Sequence, residues 1–420
     1  MIEGWAVILL ALAYVSGLFT LAWYADRTFR ARKGGGGRPV IYALSLAVYC
    51  TSWTFFGSVG FATATGYAFF AVYLGPILLF ALGWPLLVRI VRLAKSQNIT
   101  SIADFLAARY GKSQAVGAIV TAIAVAGSLP YIALQLKAVS LSVTTLLGAL
   151  PLQLFSLRID TALVIALAMA AFAVLFGTRH IDATEHQEGL IVAVAAESIV
   201  KLAAFLTVGI FVVFSVFGGI GPFLERAAAN AEVQRLFASE LNVGFWFTVT
   251  FLSFVCIVLL PRQFHVTVVE NNSETEVRRA AWLFPVYLVL INLFVVPIAA
   301  AGLMTLSDGV VPADMYVLGL PIAVGSEPVT LFAFVGGLSA ATAMVIVESV
   351  ALAIMVCNGL AVPLLLRGRA DAARGQIDMA WRLLVVRRAA IFAIILLGYL
   401  FYLLVESGRP HALASIGLVS

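Results

Sequence analysis

Long apolar stretches recur along the whole chain, and they limit its fold more than any other feature. A helix that crosses the hydrocarbon core of a bilayer needs about 20 apolar residues and satisfies its own backbone hydrogen bonds. No segment shows the sustained two-residue alternation of a strand. Ten stretches come close to or exceed the helical length, at roughly 4–25, 41–62, 67–92, 115–148, 159–176, 187–219, 242–261, 280–303, 328–361 and 384–406. The sequence therefore predicts an all-α polytopic membrane protein.

The composition excludes a soluble protein and several classes of activity. Apolar residues make up 62% of the chain and charged residues 11%, whereas soluble domains carry about a quarter charged residues. The three cysteines, Cys50, Cys256 and Cys357, lie in apolar stretches without a CxxC spacing, which argues against disulfides and zinc. No nucleotide-binding glycine loop, Ser–His–Asp arrangement or kinase motif occurs, so these 420 residues contain no predicted catalytic residue and no cofactor site.

The distribution of basic residues predicts the orientation of the spans. Twenty of the 26 Lys and Arg residues fall in alternate loops, four fall in the opposite loops and the C-terminal tail, and Lys137 and Lys201 fall inside spans. The basic loops lie at 26–38, 89–114, 177–186, 262–279 and 362–388. By the positive-inside rule these loops are cytoplasmic and the N-terminus is outside. We expect a multi-pass protein of the bacterial inner membrane whose net charge of +5 reflects topology, with no nucleic-acid partner.

The boundaries of the predicted domain follow from two features. The tetraglycine Gly34–Gly37 is typical of a flexible linker, so we divide the chain into a peripheral N-terminal helix with its basic linker (1–38) and a transmembrane core (39–420). From His411 onward the residues are apolar again, like the start of one more helix. We therefore expect a longer protein to continue beyond Ser420.

The stretch after Tyr42 contains an unusual number of small and hydroxyl-bearing residues, including Cys50-Thr51-Ser52 and Gly57. Glycine permits an interrupted helix, and interrupted helices in transporters expose carbonyls that bind ions and substrates. The same residues are also typical of tight helix–helix packing. Packing is the favoured interpretation of this segment taken alone.

Four charged residues lie deep inside the predicted spans, well away from the span ends. Glu197 and Lys201 stand four residues apart, and we interpret them as a structural helical ion pair. Lys137 and Glu348 are isolated in their spans, which makes each a functional candidate or the two a mutual pair.

Two further groups of polar residues have open interpretations. Ser339 and Thr342 share a helix face, where their hydroxyls either bind a cation or bond to their own helix. The loop 177–189 contains histidines and acids, but their spacing matches no metal motif, and we predict no metal there.

Five short motifs, taken in chain order, resemble the sodium:solute symporter family. They are Trp53-Thr54-Phe55-Phe56-Gly57, Ile102-Ala103-Asp104-Phe105-Leu106 with Arg109-Tyr110-Gly111, Pro130-Tyr131-Ile132-Ala133-Leu134-Gln135-Leu136, Thr184-Glu185, and the glycine-rich stretch at Ser339. The resemblance implies a LeuT-like core of two inverted five-helix repeats. Repeat one would be about 41–219. Repeat two would be 242–420, with only four complete helices and its last helix missing or truncated.

The same resemblance implies a binding site. A cation would lie between the carbonyls of Ala47 and Cys50 and the positions Gly336, Ser339 and Ala340 of a later helix, on which Thr342 shares a face with Ser339. The family usually has two adjacent hydroxyls where this chain has Ser339-Ala340, so one ligand is lost, and either Na⁺ or H⁺ is the expected coupling ion. The resemblance places a small polar solute at Trp53, Gly57, Tyr131 and Gln135, and a coupling carboxylate at Glu185.

The run from Ser339 to Asn358 is most similar to the transporter-like N-terminal region of CbrA-type sensor histidine kinases. That similarity implies transport or sensing of an amino acid such as histidine, with kinase modules after Ser420 and a response regulator as partner. In that case the longer protein would be an enzyme of two-component signalling. The alternative is a plain cation-coupled symporter without a kinase.

Overall fold

The computed structural model describes residues 4–31, 38–147, 153–154, 157–158, 160–177, 187–238, 242–306, 311–363, 376–408 and 413. Within these ranges the chain is helical except for connecting turns and one antiparallel pair of two-residue strands, β1 (Gln153–Leu154) and β2 (Leu157–Arg158). The predicted all-α fold is confirmed. The helices are α1 (Gly4–Ala31), α2 (Pro39–Ser45), α3 (Ser58–Thr65), α4 (Ala71–Ala81), α5 (Trp84–Ser96), α6 (Ile102–Arg109), α7 (Gln114–Leu147), α8 (Thr161–Gly177), α9 (Glu188–Ile210), α10 (Ile220–Ala229), α11 (Ala231–Phe237), α12 (Val243–Leu259), α13 (Pro261–Phe264), α14 (Glu274–Asn292), α15 (Val295–Thr305), α16 (Tyr316–Ala323), α17 (Glu327–Val356) and α18 (Gln376–Gly408).

The described residues contain many membrane-spanning helices, as the apolar stretches predict. Seven helical segments are long and apolar enough to cross a bilayer, and the bent pair Val243–Leu259 and Pro261–Val269 makes an eighth. Two predicted spans differ in form from a full-length helix. The stretch 41–62 begins as the short helix Pro39–Tyr49 and then breaks, and the stretch 159–176 is represented by Thr161–Leu175.

Helix α17 forms the centre of the molecule. Its residues from Ala333 to Met355 are all buried, and it packs against α7, α8, α9 and α18. Glycine allows the first core helix to approach it closely, because a Cβ atom on Gly337 would lie 2.2 Å from Cζ of Phe56. The glycine-rich stretch therefore packs α17 against the residues that follow the break in the first core helix.

The N-terminal helix α1 lies along α9. The Asp26 carboxylate accepts a hydrogen bond of 2.6 Å from the backbone N–H of Gly189, in the first turn of α9. A carboxylate at this position satisfies one of the N–H groups that a helix start leaves unpaired. The opposite face of α1 is exposed at Trp5, Leu9 and Leu12, as expected for a surface in contact with lipid.

Within the described residues, the first helix of each predicted repeat is interrupted. After α2, a 3₁₀ turn (Leu46–Tyr49) leads to Cys50 in extended conformation, and the chain resumes as a π-helical turn (Trp53–Gly57). In the second repeat the chain bends by 55° between α12 and α13. The bend occurs at Leu260, which is extended because the residue before a proline is disfavoured in the α conformation.

The second interruption corrects one expectation from the sequence. The segment from residue 262 was predicted to be a cytoplasmic loop. Its first residues instead belong to α13 and a π-helical turn (His265–Val269) inside the bundle, and Arg262 is buried. An arginine counted as a topological marker is therefore part of the protein interior.

Candidate solute cavity and cation site

A cavity of about 840 Å³ lies between the two interrupted helices and α7. Its walls are mainly apolar, with a few polar side chains pointing in from each of the three elements. The polar and aromatic residues of the wall are Tyr49, Trp53, Thr54, Ser128, Tyr131, Phe245, Thr248, Ser253 and Arg262. A mostly apolar concave surface with a few convergent polar groups is typical of small-molecule sites.

Arg262 and Glu348 form a buried ion pair at the wall of this cavity. An Nη1–Oε2 distance of 3.1 Å joins them, and the other carboxylate oxygen accepts a 2.5 Å hydrogen bond from Ser128 Oγ. The guanidinium carbon lies 4.5 Å from the ring centroid of Tyr131. Nε of Arg262 is buried without a hydrogen-bond partner among the described residues. The pair is neutral as a unit, which allows both charges to remain away from water.

The partners of the two isolated charges exclude their mutual pairing. Glu348 is bound to Arg262, while Lys137 forms an ion pair of 3.1 Å with Glu406 at the end of α18. Lys137 is buried and Glu406 is half-exposed, so this pair lies near one surface of the bundle. Lys137 thus connects α7 to α18 and does not line the cavity.

The four predicted solute-binding residues occupy different positions. Trp53 and Tyr131 line the cavity. Gln135 is buried behind it, where its Oε1 accepts hydrogen bonds from the backbone N–H (3.2 Å) and the hydroxyl (2.7 Å) of Ser52. Gly57 is also buried, and a Cβ atom there would contact the Trp53 ring at 3.4 Å. Gln135 and Gly57 therefore shape the wall from behind.

Tyr131 also supports the interruption of the first core helix. Its hydroxyl is 2.9 Å from Thr51 Oγ1, and the same Thr51 oxygen accepts a hydrogen bond from the backbone N–H of Trp53. Together with Gln135, these bonds satisfy the polar groups that the break leaves outside a regular helix.

The carbonyls predicted to bind a cation already accept hydrogen bonds from Lys201 of α9. Its Nζ donates to the oxygens of Ala47 and Cys50, each at 2.7 Å. Lys201 is 1% exposed, so the ammonium is fully enclosed. The break at Cys50 explains why these oxygens are free for an outside donor.

The hydroxyls predicted for the same site point to Glu197, one turn earlier on α9. Ser339 Oγ donates to the backbone oxygen of Glu197 at 2.8 Å. Thr342 Oγ1 lies 2.6 Å from the Glu197 carboxylate and 2.9 Å from the backbone oxygen of Leu338, so it also bonds to its own helix. The expected ion pair within α9 is thus replaced by separate hydrogen bonds for each side chain. Gly336 packs directly on the ring of Phe55, where a Cβ atom would lie 2.8 Å from it.

Two residues of this region were not assigned a functional role from the sequence. The sequence favoured Lys201 as half of a structural ion pair. The signal for a functional role was its position as one of two basic residues deep inside spans. Arg262 was assigned to a loop, and the signal for a buried position was Pro261 directly before it.

The remaining predicted position, Glu185, lies outside the described residues, as do the loop histidines His180 and His186. Within the described residues no group of three His, Cys, Asp or Glu side chains is arranged to hold a metal ion.

Comparison with known proteins places this geometry in a fold family. A solved structure described as a substrate-bound outward-open state of a Na⁺-coupled sialic acid symporter superimposes with a TM-score of 0.67, at 14% identity, over 96% of this chain and 83% of that one. The chain has a LeuT-like fold. The predicted fold class is confirmed at this level.

Sequence comparison gives one curated relative of the same kind. The chain is 24% identical over 313 residues to the uncharacterized symporter YhjB of Bacillus subtilis (strain 168). The match covers 71% of this chain and 60% of that protein, so the chain spans less than two thirds of its relative. No protein-family model matches the chain.

Proposed function

We propose that this chain is the solute-binding and translocating part of a symporter-type membrane transporter. The observation that carries the proposal is the 840 Å³ cavity between α7 and the interrupted first helix of each repeat. In transporters built from inverted repeats, solutes bind near the middle of the membrane at interrupted helices, and the two bundles move to alternate access. The similarity to solved and curated symporters supports the same activity.

The proposed solute is small and polar and carries a carboxylate, as an amino acid does. Arg262 supports this class, because a guanidinium binds carboxylates with several donors in a fixed geometry and its Nε is unsatisfied. The apolar walls around Trp53 suit an aromatic or aliphatic side chain. Histidine as the particular solute rests on the resemblance of residues 339–358 alone.

Uptake and binding by the reconstituted protein test this function. We expect radiolabelled histidine, or another amino acid from a panel of the twenty, to bind saturably, and Trp53→Ala to weaken binding at least tenfold because the ring forms part of the wall. Trp282→Ala is the matched control, since Trp282 is 59% exposed on the outer face of α14. Equal loss in both variants, or unchanged binding in Trp53→Ala, contradicts the assigned cavity.

The contribution of the ion pair needs a variant that leaves no single buried charge. Replacing both members by leucine (Arg262→Leu with Glu348→Leu) removes the charges together, which is often tolerated by the fold. If the double variant folds and still binds a carboxylate-bearing solute with wild-type affinity, the solute class is wrong.

A second candidate function is sensing. The resemblance of Ser339–Asn358 to CbrA-type sensor kinases supports a receptor in which solute occupancy biases an attached kinase and its response regulator. Such a receptor requires different affinities in two conformations. The reading frame after Ser420 discriminates the two: kinase modules favour sensing, whereas a short helical tail favours a plain cation-coupled symporter.

A further inference from the structure

The predicted cation site is bridged by two side chains of α9. On one side the Lys201 ammonium donates to the carbonyls of Ala47 and Cys50. On the other side the Ser339 and Thr342 hydroxyls donate to Glu197. Both halves of the site that the resemblance assigns to a cation are thus engaged by one helix.

These residues do not fit a sodium ion. A sodium ion binds through oxygen lone pairs, and here the lone pairs of the two carbonyls are already directed at the Lys201 ammonium, each at 2.7 Å. A second cation among the same oxygens would meet the charge of Lys201 at close range, where the low dielectric of the interior makes repulsion strong. Glu197, one helical turn away, supplies the opposite charge that a buried ammonium requires.

We propose that the Lys201 ammonium is the resident cation of this chain, a covalently attached substitute for the sodium ion of sodium-coupled relatives in the fold. It holds the interrupted helix against α9 and α17 as a bound ion would, with the same unit charge and with short charge-assisted hydrogen bonds. The consequence is that solute binding and stability do not depend on sodium. This inference depends on the proposed function in one respect, because it assumes that the site belongs to a transporter.

The test measures sodium directly and needs no knowledge of the solute. The purified full chain is examined for saturable ²²Na⁺ binding, and for its midpoint of thermal unfolding in sodium chloride against choline chloride at equal ionic strength. A ligand that binds only the folded state raises the midpoint. We expect no saturable binding and equal midpoints for the wild type, while a sodium-coupled symporter of the same fold shows both effects.

Removing the ammonium is expected to make the stability of the protein depend on sodium. In Lys201→Ala the carbonyls of Ala47 and Cys50 lose their donor and the Glu197 carboxylate loses its counter-charge. We expect a lower midpoint in choline chloride and a sodium-specific recovery of several degrees. Lys201→Gln keeps a donor of similar length without the charge and provides a second neutral variant if the alanine protein does not fold.

Lys137→Ala is the control for loss of a buried lysine elsewhere in the bundle, because its ammonium binds Glu406. It is expected to respond equally to sodium and choline. Saturable ²²Na⁺ binding by the wild type overturns the proposal without any variant, as does a folded Lys201→Ala protein with wild-type stability in choline chloride. Solute assays fail or succeed independently of these results, so the proposed function and this inference can be refuted separately.

Discussion

At the scale of single residues, the polar side chains of α7 give the first core helix its shape. Gln135 and Tyr131 lie one turn apart, and both bind the interrupted segment, Gln135 at Ser52 and Tyr131 at Thr51. An interrupted helix exposes backbone groups that are costly to bury unpaired. The break is thus stabilised by side chains about 80 residues away in the chain. Both residues were predicted to touch the solute, and of the two only Tyr131 lines the cavity.

Replacing Gln135 tests this supporting role. Gln135→Ala leaves the buried hydroxyl and N–H of Ser52 without their acceptor, which we expect to lower the free energy of unfolding by about 1–3 kcal/mol. Unfolding monitored in detergent measures the change. Gln97→Ala, at an exposed position after α5, is the control and should change little. Wild-type stability of Gln135→Ala contradicts the assignment.

At the scale of elements, close helix contacts depend on particular glycines. Gly75 of α4 faces α12, and a Cβ atom there would lie 2.2 Å from Ser253 Oγ and 2.4 Å from the backbone nitrogen of Phe254. Backbone atoms cannot move aside without shifting the helix. The α4–α12 contact therefore fixes the position of the second interrupted helix, and with it one wall of the cavity.

A methyl group at this contact is expected to separate the two helices. Gly75→Ala should destabilise the protein by roughly 1–3 kcal/mol, as overpacking of a close contact does, and should weaken solute binding because α12 lines the cavity. Gly17→Ala is the matched control, because a Cβ atom on Gly17 meets no atom within 4 Å. If both variants unfold at the same midpoint as the wild type, the contact is looser than described.

At the scale of the whole molecule, the basic loops predict an N-terminus on the outer face of the bacterial membrane. The burial of Arg262 removes one of the twenty residues that support this orientation, and the asymmetry is still large without it. The positive-inside rule depends on short loops near the ends of spans, where most of these residues lie.

The orientation can be measured with a short protease-sensitive tag. A tag at the N-terminus should be cut by protease added to intact spheroplasts, because the first loop and not the terminus is basic. The same tag within Gly34–Gly37 should be cut only after lysis. The reverse pattern shows that the topology is inverted.

The sequence by itself determined the class of fold. Apolar stretches of membrane-spanning length leave a helical bundle as the solution, since each span satisfies its own backbone, and this is a local property that can be read residue by residue. Five short motifs in chain order, from Trp53 to Ser339, predicted the LeuT-like arrangement, which the structural comparison confirms.

Only the tertiary structure decided which polar groups meet. Lys201 is 151 residues from Cys50 and Arg262 is 86 residues from Glu348, and no local pattern encodes such pairings. Local rules favoured Glu197 with Lys201 because they share a helix, whereas packing of three helices gave each a nearer partner. The family resemblance assigned a cation to the carbonyls of Ala47 and Cys50, and in the structure these carbonyls accept hydrogen bonds from the chain's own Lys201.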